Sequence, residues 1–190
     1  MEDDFDISSL KKKKKINSRN KGNSFERKIC GLLNEAFKTA EFSRSPGSGA
    51  FATTHSLPKH LDLQGDILTP KDFPYMLECK KGYNKLGVSD IMDPKGMIHS
   101  FFNKVSNQAK LASKFPMLIF QQDRKEIFCM VSGMHFPEDL EGQDMRCDYY
   151  LQIVDFRKET LEKNKDIEGD YFLLFRFSDY LDFIKKSLTK

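Results

Sequence analysis

The chain has no tryptophan, only four cysteines, and no apolar run of the roughly 18 residues that a membrane span needs. Its charged opening, MEDDFDISSLKKKKK, lacks the apolar segment of a secretory signal. Cys30, Cys79, Cys129 and Cys147 lie far apart and form no CxxC pair, so they read as reduced thiols in a cytoplasmic, intracellular protein. His55, His60, His99 and His135 show no HExxH or paired spacing, which argues against a zinc hydrolase. SPGSGAF is glycine-rich but lacks the Gly-Lys-Ser/Thr ending of a nucleotide-binding P-loop. No Ser-His-Asp arrangement can be defended. With tryptophan absent, seventeen phenylalanines carry the aromatic packing of what reads as one soluble globular domain with appendages.

Charge is unevenly placed. Residues 11–28 hold nine Lys or Arg against the single acid Glu26, whereas residues 29–190 hold twenty-two basic and twenty-three acidic residues. The positive charge is therefore concentrated near the N-terminus, where residues 1–22, an acidic block followed by a basic one, read as a flexible charged arm. Such an arm suits the phosphates of a nucleic acid, and it also suits a solubilising tail.

Periodicity places the elements. Asn23 or Ser24 can cap a helix to about Lys38 with Phe25, Ile29, Leu32, Leu33, Ala36 and Phe37 on one face. SRSPGSGAFATTHSLPKH, residues 43–60, reads as a long loop, and strands follow at Asp62 to Leu68 and Tyr75 to Lys80. A second helix is expected over Met97 to Lys114, ended by Pro116. Strands at Met117 to Phe120, Ile127 to Val131, Tyr149 to Phe156 and Tyr171 to Phe177 lead to a terminal helix capped by Ser178. This order implies an α/β fold, a central mixed β-sheet flanked by helices.

Three acidic positions look misplaced. On a helical wheel the apolar side chains of the first helix fall between roughly −20° and 140°, and Glu26 sits inside that stripe at about 100°. Two explanations stand: a first-turn acid favouring the helix dipole, or a carboxylate turned toward a cleft. In LQGDIL, Asp66 follows Gly65 directly before apolar residues, as a turn aspartate or as a site residue. In MLECK, Glu78 and Lys80 share one face of a strand, about 7 Å apart, with Cys79 as a core-facing spacer. If the two strands form a hairpin, Asp66 and Glu78 face each other across it. Paired carboxylates repel, and a hard cation such as Mg²⁺ relieves that repulsion while supplying an activated water. Lys80 then stabilises the charge of a pentacovalent phosphate. These are the parts of a metal-dependent phosphodiesterase.

Helical Glu26, then Asp66, then Glu78-Cys79-Lys80 resembles the PD-(D/E)xK nuclease superfamily. More narrowly, KGNSFERKICGLLNEAF, FSRSPGSGAF, LQGDI and LECKKGY in that order resemble archaeal and phage-type Holliday junction resolvases, over about Lys21 to Val131. The resemblance implies a restriction-endonuclease-like fold with a core at about 23–131 and a C-terminal α/β extension at about 132–190. It implies Asp66, Glu78 and Glu26 as ligands of Mg²⁺, with Mn²⁺ as substitute, and Lys80 as the catalytic lysine. Ser45 or Ser48 matches an implicated loop serine. Gln108 matches a polar residue aimed at the site from the second helix, and is equally readable as a boundary glutamine. Gly65 replaces the proline of the Pro-Asp pair.

The implied activity is a DNA endonuclease resolving four-way junctions as a homodimer, with linear or flapped DNA as the alternative substrate and a non-catalytic DNA-binding protein as the competitor. The expected phosphate contacts are Lys11, Lys12, Lys13, Lys14, Lys15, Arg19, Lys21, Arg27, Arg44, Ser48, Lys59, Lys81 and Lys85.

Overall fold

Strand residues alternate between two faces, and here both faces are apolar, so each must be covered. The computed structural model describes residues 18–45, 65–83, 86, 88–93, 95–133, 150–154 and 171–188. In chain order they form α1 (Ser18–Phe37), β1 (Ser43–Arg44), β2 (Ile67–Leu68), β3 (Tyr75–Lys81), α2 (Val88–Ile91), α3 (Met97–Leu111), β4 (Phe115–Gln121), β5 (Ile127–Ser132), β6 (Tyr150–Val154), β7 (Tyr171–Arg176) and α4 (Phe177–Leu188). Five strands make one mixed sheet in the order β3-β4-β5-β7-β6. Only β3 and β4 are parallel; the other neighbours are antiparallel. A parallel pair needs a crossover, and α3 lies between β3 and β4 in the chain and packs on both.

The two faces separate by residue parity. Tyr75, Leu77, Cys79, Met117, Ile119, Cys129, Val131, Leu173 and Phe175 point toward α1 and α4. Met76, Leu118, Phe120, Met130, Phe172 and Leu174 point toward α2 and α3. The mixed sheet between helical layers is the restriction-endonuclease-like fold that the motifs implied. Buried Tyr75 and Tyr180 share a hydrogen bond of 2.5 Å between their hydroxyls and so fasten α4 to β3. Cys30, Cys79 and Cys129 are buried free thiols, and burial pushes their pKa values up.

Several boundaries differ from those read off the sequence. α1 begins at Ser18, not at a cap on Asn23 or Ser24, so residues 18–22 are helical and not part of a flexible arm. Tertiary contacts hold this extra turn: Lys21 pairs with Asp123 at 2.9 Å, and Asn23 accepts from Arg44 at 2.9 Å. α3 stops at Leu111, with Ser113 in the left-handed region at φ +54°. Pro116 lies inside β4, paired with Met76. Its missing donor is tolerated there because pairing of β4 with β5 starts one residue later, at Met117.

α4 starts at Phe177, so Ser178 is inside the helix and donates to Asp179 at 3.0 Å instead of capping. Among the described residues the expected hairpin between 62–68 and 75–80 forms no ladder. β2 pairs with β1, Ser43 opposite Leu68 and Arg44 opposite Ile67, so the expected loop is a strand where it begins. Of the expected extension at 132–190, β6 and β7 continue the central sheet itself, β7 pairing with β5 and β6 with β7.

Candidate active site

The end of β3 is where both helical layers meet the chain's charged residues. Alternation puts Glu78 and Lys80 on the α3 face, opposite Leu77 and Cys79. That face is not wet: Met76 is 3% and Glu78 1% exposed. A carboxylate so deeply buried requires a partner. Lys80 Nζ lies 2.6 Å from Glu78 Oε1 and 3.4 Å from Asp66 Oδ2, and it donates to the Cys79 carbonyl at 3.2 Å. Three oxygens therefore surround one cation.

Asp66 reaches this point through its backbone. Its N–H donates to the Leu77 carbonyl at 2.9 Å, and its Oδ2 accepts the Cys79 N–H at 2.8 Å. The close approach depends on Gly65, at φ +98°, where an added Cβ would stand 3.0 Å from the Leu77 oxygen. Gly65→Ala is expected to cost about 1–3 kcal/mol in denaturant unfolding, through both the backbone angle and this contact. A variant as stable as wild type would show that the chain relaxes freely at this point, and the positioning of Asp66 would need another cause.

Glu26 lies on the core side of α1, 6% exposed. Because α1 starts at Ser18, Glu26 is well inside the helix, and the first-turn explanation of its placement fails. Its carboxylate accepts from Arg44 Nε at 2.5 Å, and Arg44 Nη2 donates to Asn23 at 2.9 Å. Arg44, expected to contact phosphate, is thus already neutralised inside the protein. Lys104 from α3, half-exposed, contacts Glu78 Oε1 at 3.1 Å. The sequence reading missed it, since Lys104 looked like any solvent-facing lysine. The available signal was its position one turn before Gln108 on the same edge of α3.

Gly22, Glu26, Asp66, Lys80, Lys81 and Lys104 line one cleft of about 470 Å³. Gln108 is not among its lining residues; its Oε1 is buried without a hydrogen-bond partner among the described residues. Ser45 is buried beside Asp66, donating its N–H to the Asp66 carbonyl at 3.1 Å, and its Oγ has no such partner either. The three carboxylates do not gather into one cluster: among the described residues no three His, Cys, Asp or Glu side chains converge as a ready metal cage. Asp66 and Glu78 share Lys80, whereas Glu26 is turned to Arg44. Lys81 lies over the Phe25 ring at 5.6 Å, and Arg27 is exposed on α1. Lys11 to Lys15, Ser48, Lys59 and Lys85 lie outside the described residues, as does the side chain of Arg19.

Burial raises the Asp66 pKa, and the Glu78 charge adds to the rise against the opposing pull of Lys80 and the Cys79 N–H. A carboxyl raised in the folded state contributes stability below the ordinary carboxylate range, and that contribution is lost as pH climbs through its folded value. Asp66→Asn is therefore expected to match wild type near about pH 4 and to be more stable near neutral pH by roughly 0.5–2 kcal/mol, measured calorimetrically in chelator. Lower stability of the variant at neutral pH would mean that the Lys80 ion pair outweighs desolvation.

A known family matches most of this chain. The family model described as "Phage putative PDDEXK endonuclease" covers residues 17–176. The chain belongs to this family. It is an endonuclease of the PD-(D/E)xK superfamily, and DNA is its substrate. The match runs from the start of α1 through β7, and so includes strands beyond the 23–131 core that the motifs suggested. No curated protein and no solved structure matches this PD-(D/E)xK chain. No helix among its described residues is long and apolar enough to cross a membrane.

Proposed function

We propose that this endonuclease is Mg²⁺-dependent and structure-selective, resolving four-way DNA junctions by paired phosphodiester hydrolysis as a homodimer. The observation that carries the hydrolytic part is the cation cradle at the end of β3: Asp66 Oδ2, Glu78 Oε1 and the Cys79 carbonyl around one ammonium. Two carboxylates and a backbone carbonyl are hard oxygen donors of the kind that Mg²⁺ or Mn²⁺ accepts, and their attraction for positive charge is already expressed in the pull on Lys80. When bound, such an ion supplies Lewis acidity and a water of lowered pKa.

The protein's own groups account for the rest. Asp66 and Glu78 would hold the ion, with Glu26 completing the site through water or by orienting Arg44. Lys80 is placed to neutralise charge building on a phosphate oxygen. Ser45 would act through the position of Asp66, and Gln108 through α3. Lys81, Lys21 and Arg27 would contact neighbouring phosphates. The proposal of junction selectivity rests on the resemblance of the motif order to that of junction resolvases. A homodimer follows from chemistry, because matching cuts in a two-fold-symmetric junction call for two equivalent sites.

The test is cleavage of a four-way junction, a flap and a linear duplex with Mg²⁺, using Asp66→Asn as control. Symmetric junction nicks that disappear in the variant support the proposal. Equal cleavage of linear duplex overturns junction selectivity, and activity undiminished by chelator overturns metal dependence.

A further inference from the structure

Phosphodiester hydrolysis needs carboxylates, a lysine and positive charge; it has no use for an exposed aromatic ring. Yet Tyr83 lines the same cleft as Lys80, Lys81 and Lys104, and it is 38% exposed. Among the described residues the other large exposed hydrophobics are Met92 and Leu111, and neither borders the cleft. Tyr83 is placed there by the end of β3. The Gly82 N–H donates to the Gln121 carbonyl at 3.3 Å, and Gly82 then turns the chain at φ +84°, a value at which a side chain is strained.

Tyr83 is not a loose side chain. Its ring meets that of Phe101 on α3, centroids 5.3 Å apart at 58°. Phe101 is half-buried and packs against the apolar cluster on the α3 face of the sheet. On its other contact, Lys80 Nζ lies 5.3 Å from the Phe101 centroid. A fixed aromatic pair thus stands one ring away from the ammonium at the centre of the site.

We propose that Tyr83, braced by Phe101, is a stacking platform for an unpaired nucleobase of the strand whose phosphate is held at Lys80. This rests on the reading that the cleft takes a DNA strand. Every base has a π-face, so an aromatic ring beside a cation accepts a nucleotide without reading its sequence. In an intact duplex the bases are stacked on each other and withheld; in a flap, a bulge or a single-stranded end they are free. The platform thus gives the cleft a preference for DNA carrying an unpaired base near the scissile phosphate.

The experiment is equilibrium binding in chelator, which prevents cleavage, with labelled single strand, fully paired duplex, and a single strand carrying abasic sugars. Full-length wild type, Tyr83→Ala and Tyr83→Phe are compared. Tyr83→Ala is expected to weaken single-strand binding about 10- to 100-fold and duplex binding by less than about two-fold, with Tyr83→Phe close to wild type on both. Abasic sugars should abolish the difference between wild type and Tyr83→Ala. Equal loss on single strand and duplex, no loss on either, or no single-strand binding by wild type overturns the platform. The two proposals fail separately: junction cleavage with no Tyr83 dependence removes the platform alone, and Tyr83-dependent base binding without junction cleavage removes the resolvase reading alone.

Discussion

Lys80→Ala is expected to lower DNA cleavage by about 10²–10³-fold and, in chelator, to destabilise the fold by about 3–5 kcal/mol. Both effects come from one ammonium. In the proposed catalysis it is the positive group that would meet charge developing on a phosphate oxygen. In the free protein it is the cation shared by Asp66 and Glu78, so its removal leaves two buried carboxylates with Lys104 against Glu78 and the Cys79 N–H against Asp66 as their partners among the described residues. Burial opposes the charge of Lys80, but Asp66 and Glu78 more than offset it, and its pKa is raised. Stability from a raised lysine is fully present below the ordinary lysine range and is lost as pH rises through the folded value, so near neutral pH the whole deficit of the variant is visible.

Added Mg²⁺ should then raise the melting temperature of Lys80→Ala more than that of wild type, because the cradle lacks its internal cation. Unchanged cleavage by the variant would remove Lys80 from the chemistry. An unchanged melting temperature in chelator would mean that Asp66 and Glu78 do not depend on it.

Removing residues 171–190 is expected to abolish cooperative unfolding altogether. β7 is an interior strand, bonded to β5 on one side and β6 on the other, so its loss exposes the ladder of β5 and leaves β6 without a neighbour in the sheet. The same cut removes α4, whose Phe177, Tyr180, Leu181 and Ile184 cover the α1 side of the core, and it leaves the buried Tyr75 hydroxyl without Tyr180. Each such large buried side chain contributes about 1.5–3 kcal/mol, against a total domain stability of about 5–15 kcal/mol. A point substitution grades the effect: Ile184→Ala should cost about 2–5 kcal/mol. A truncated protein that still melts cooperatively and cuts DNA would show that the residues after Ser132 are an accessory layer.

How much of this was legible in the sequence differs from residue to residue. The parity of Tyr75, Leu77 and Cys79 against Met76, Glu78 and Lys80 could be read directly, because strand geometry alone fixes which side chains share a face. The inward placement of Glu26 was legible for the same reason, helical periodicity. Its reason for being there was not: the choice between a first-turn acid and a cleft carboxylate turned on where α1 begins, and that start is held by Lys21–Asp123, a pair 102 residues apart. Likewise Asp66 was legible as an acid out of place, but it reaches β3 through one backbone hydrogen bond to Leu77, one from the Cys79 N–H to its carboxylate, and a glycine, not through the ladder that a hairpin would have supplied.

By itself the sequence determined the α/β class, the main strands of the sheet, and the shared face of Glu78 and Lys80 on β3, since local spacing dictates all of these. Only the tertiary structure decided which charges meet. It paired Arg44 with Glu26, brought Lys104 to Glu78, and stood Tyr83 on Phe101 beside Lys80. Such pairings join residues far apart in the chain, and their geometry depends on how helices settle on both faces of a sheet, which no local pattern encodes.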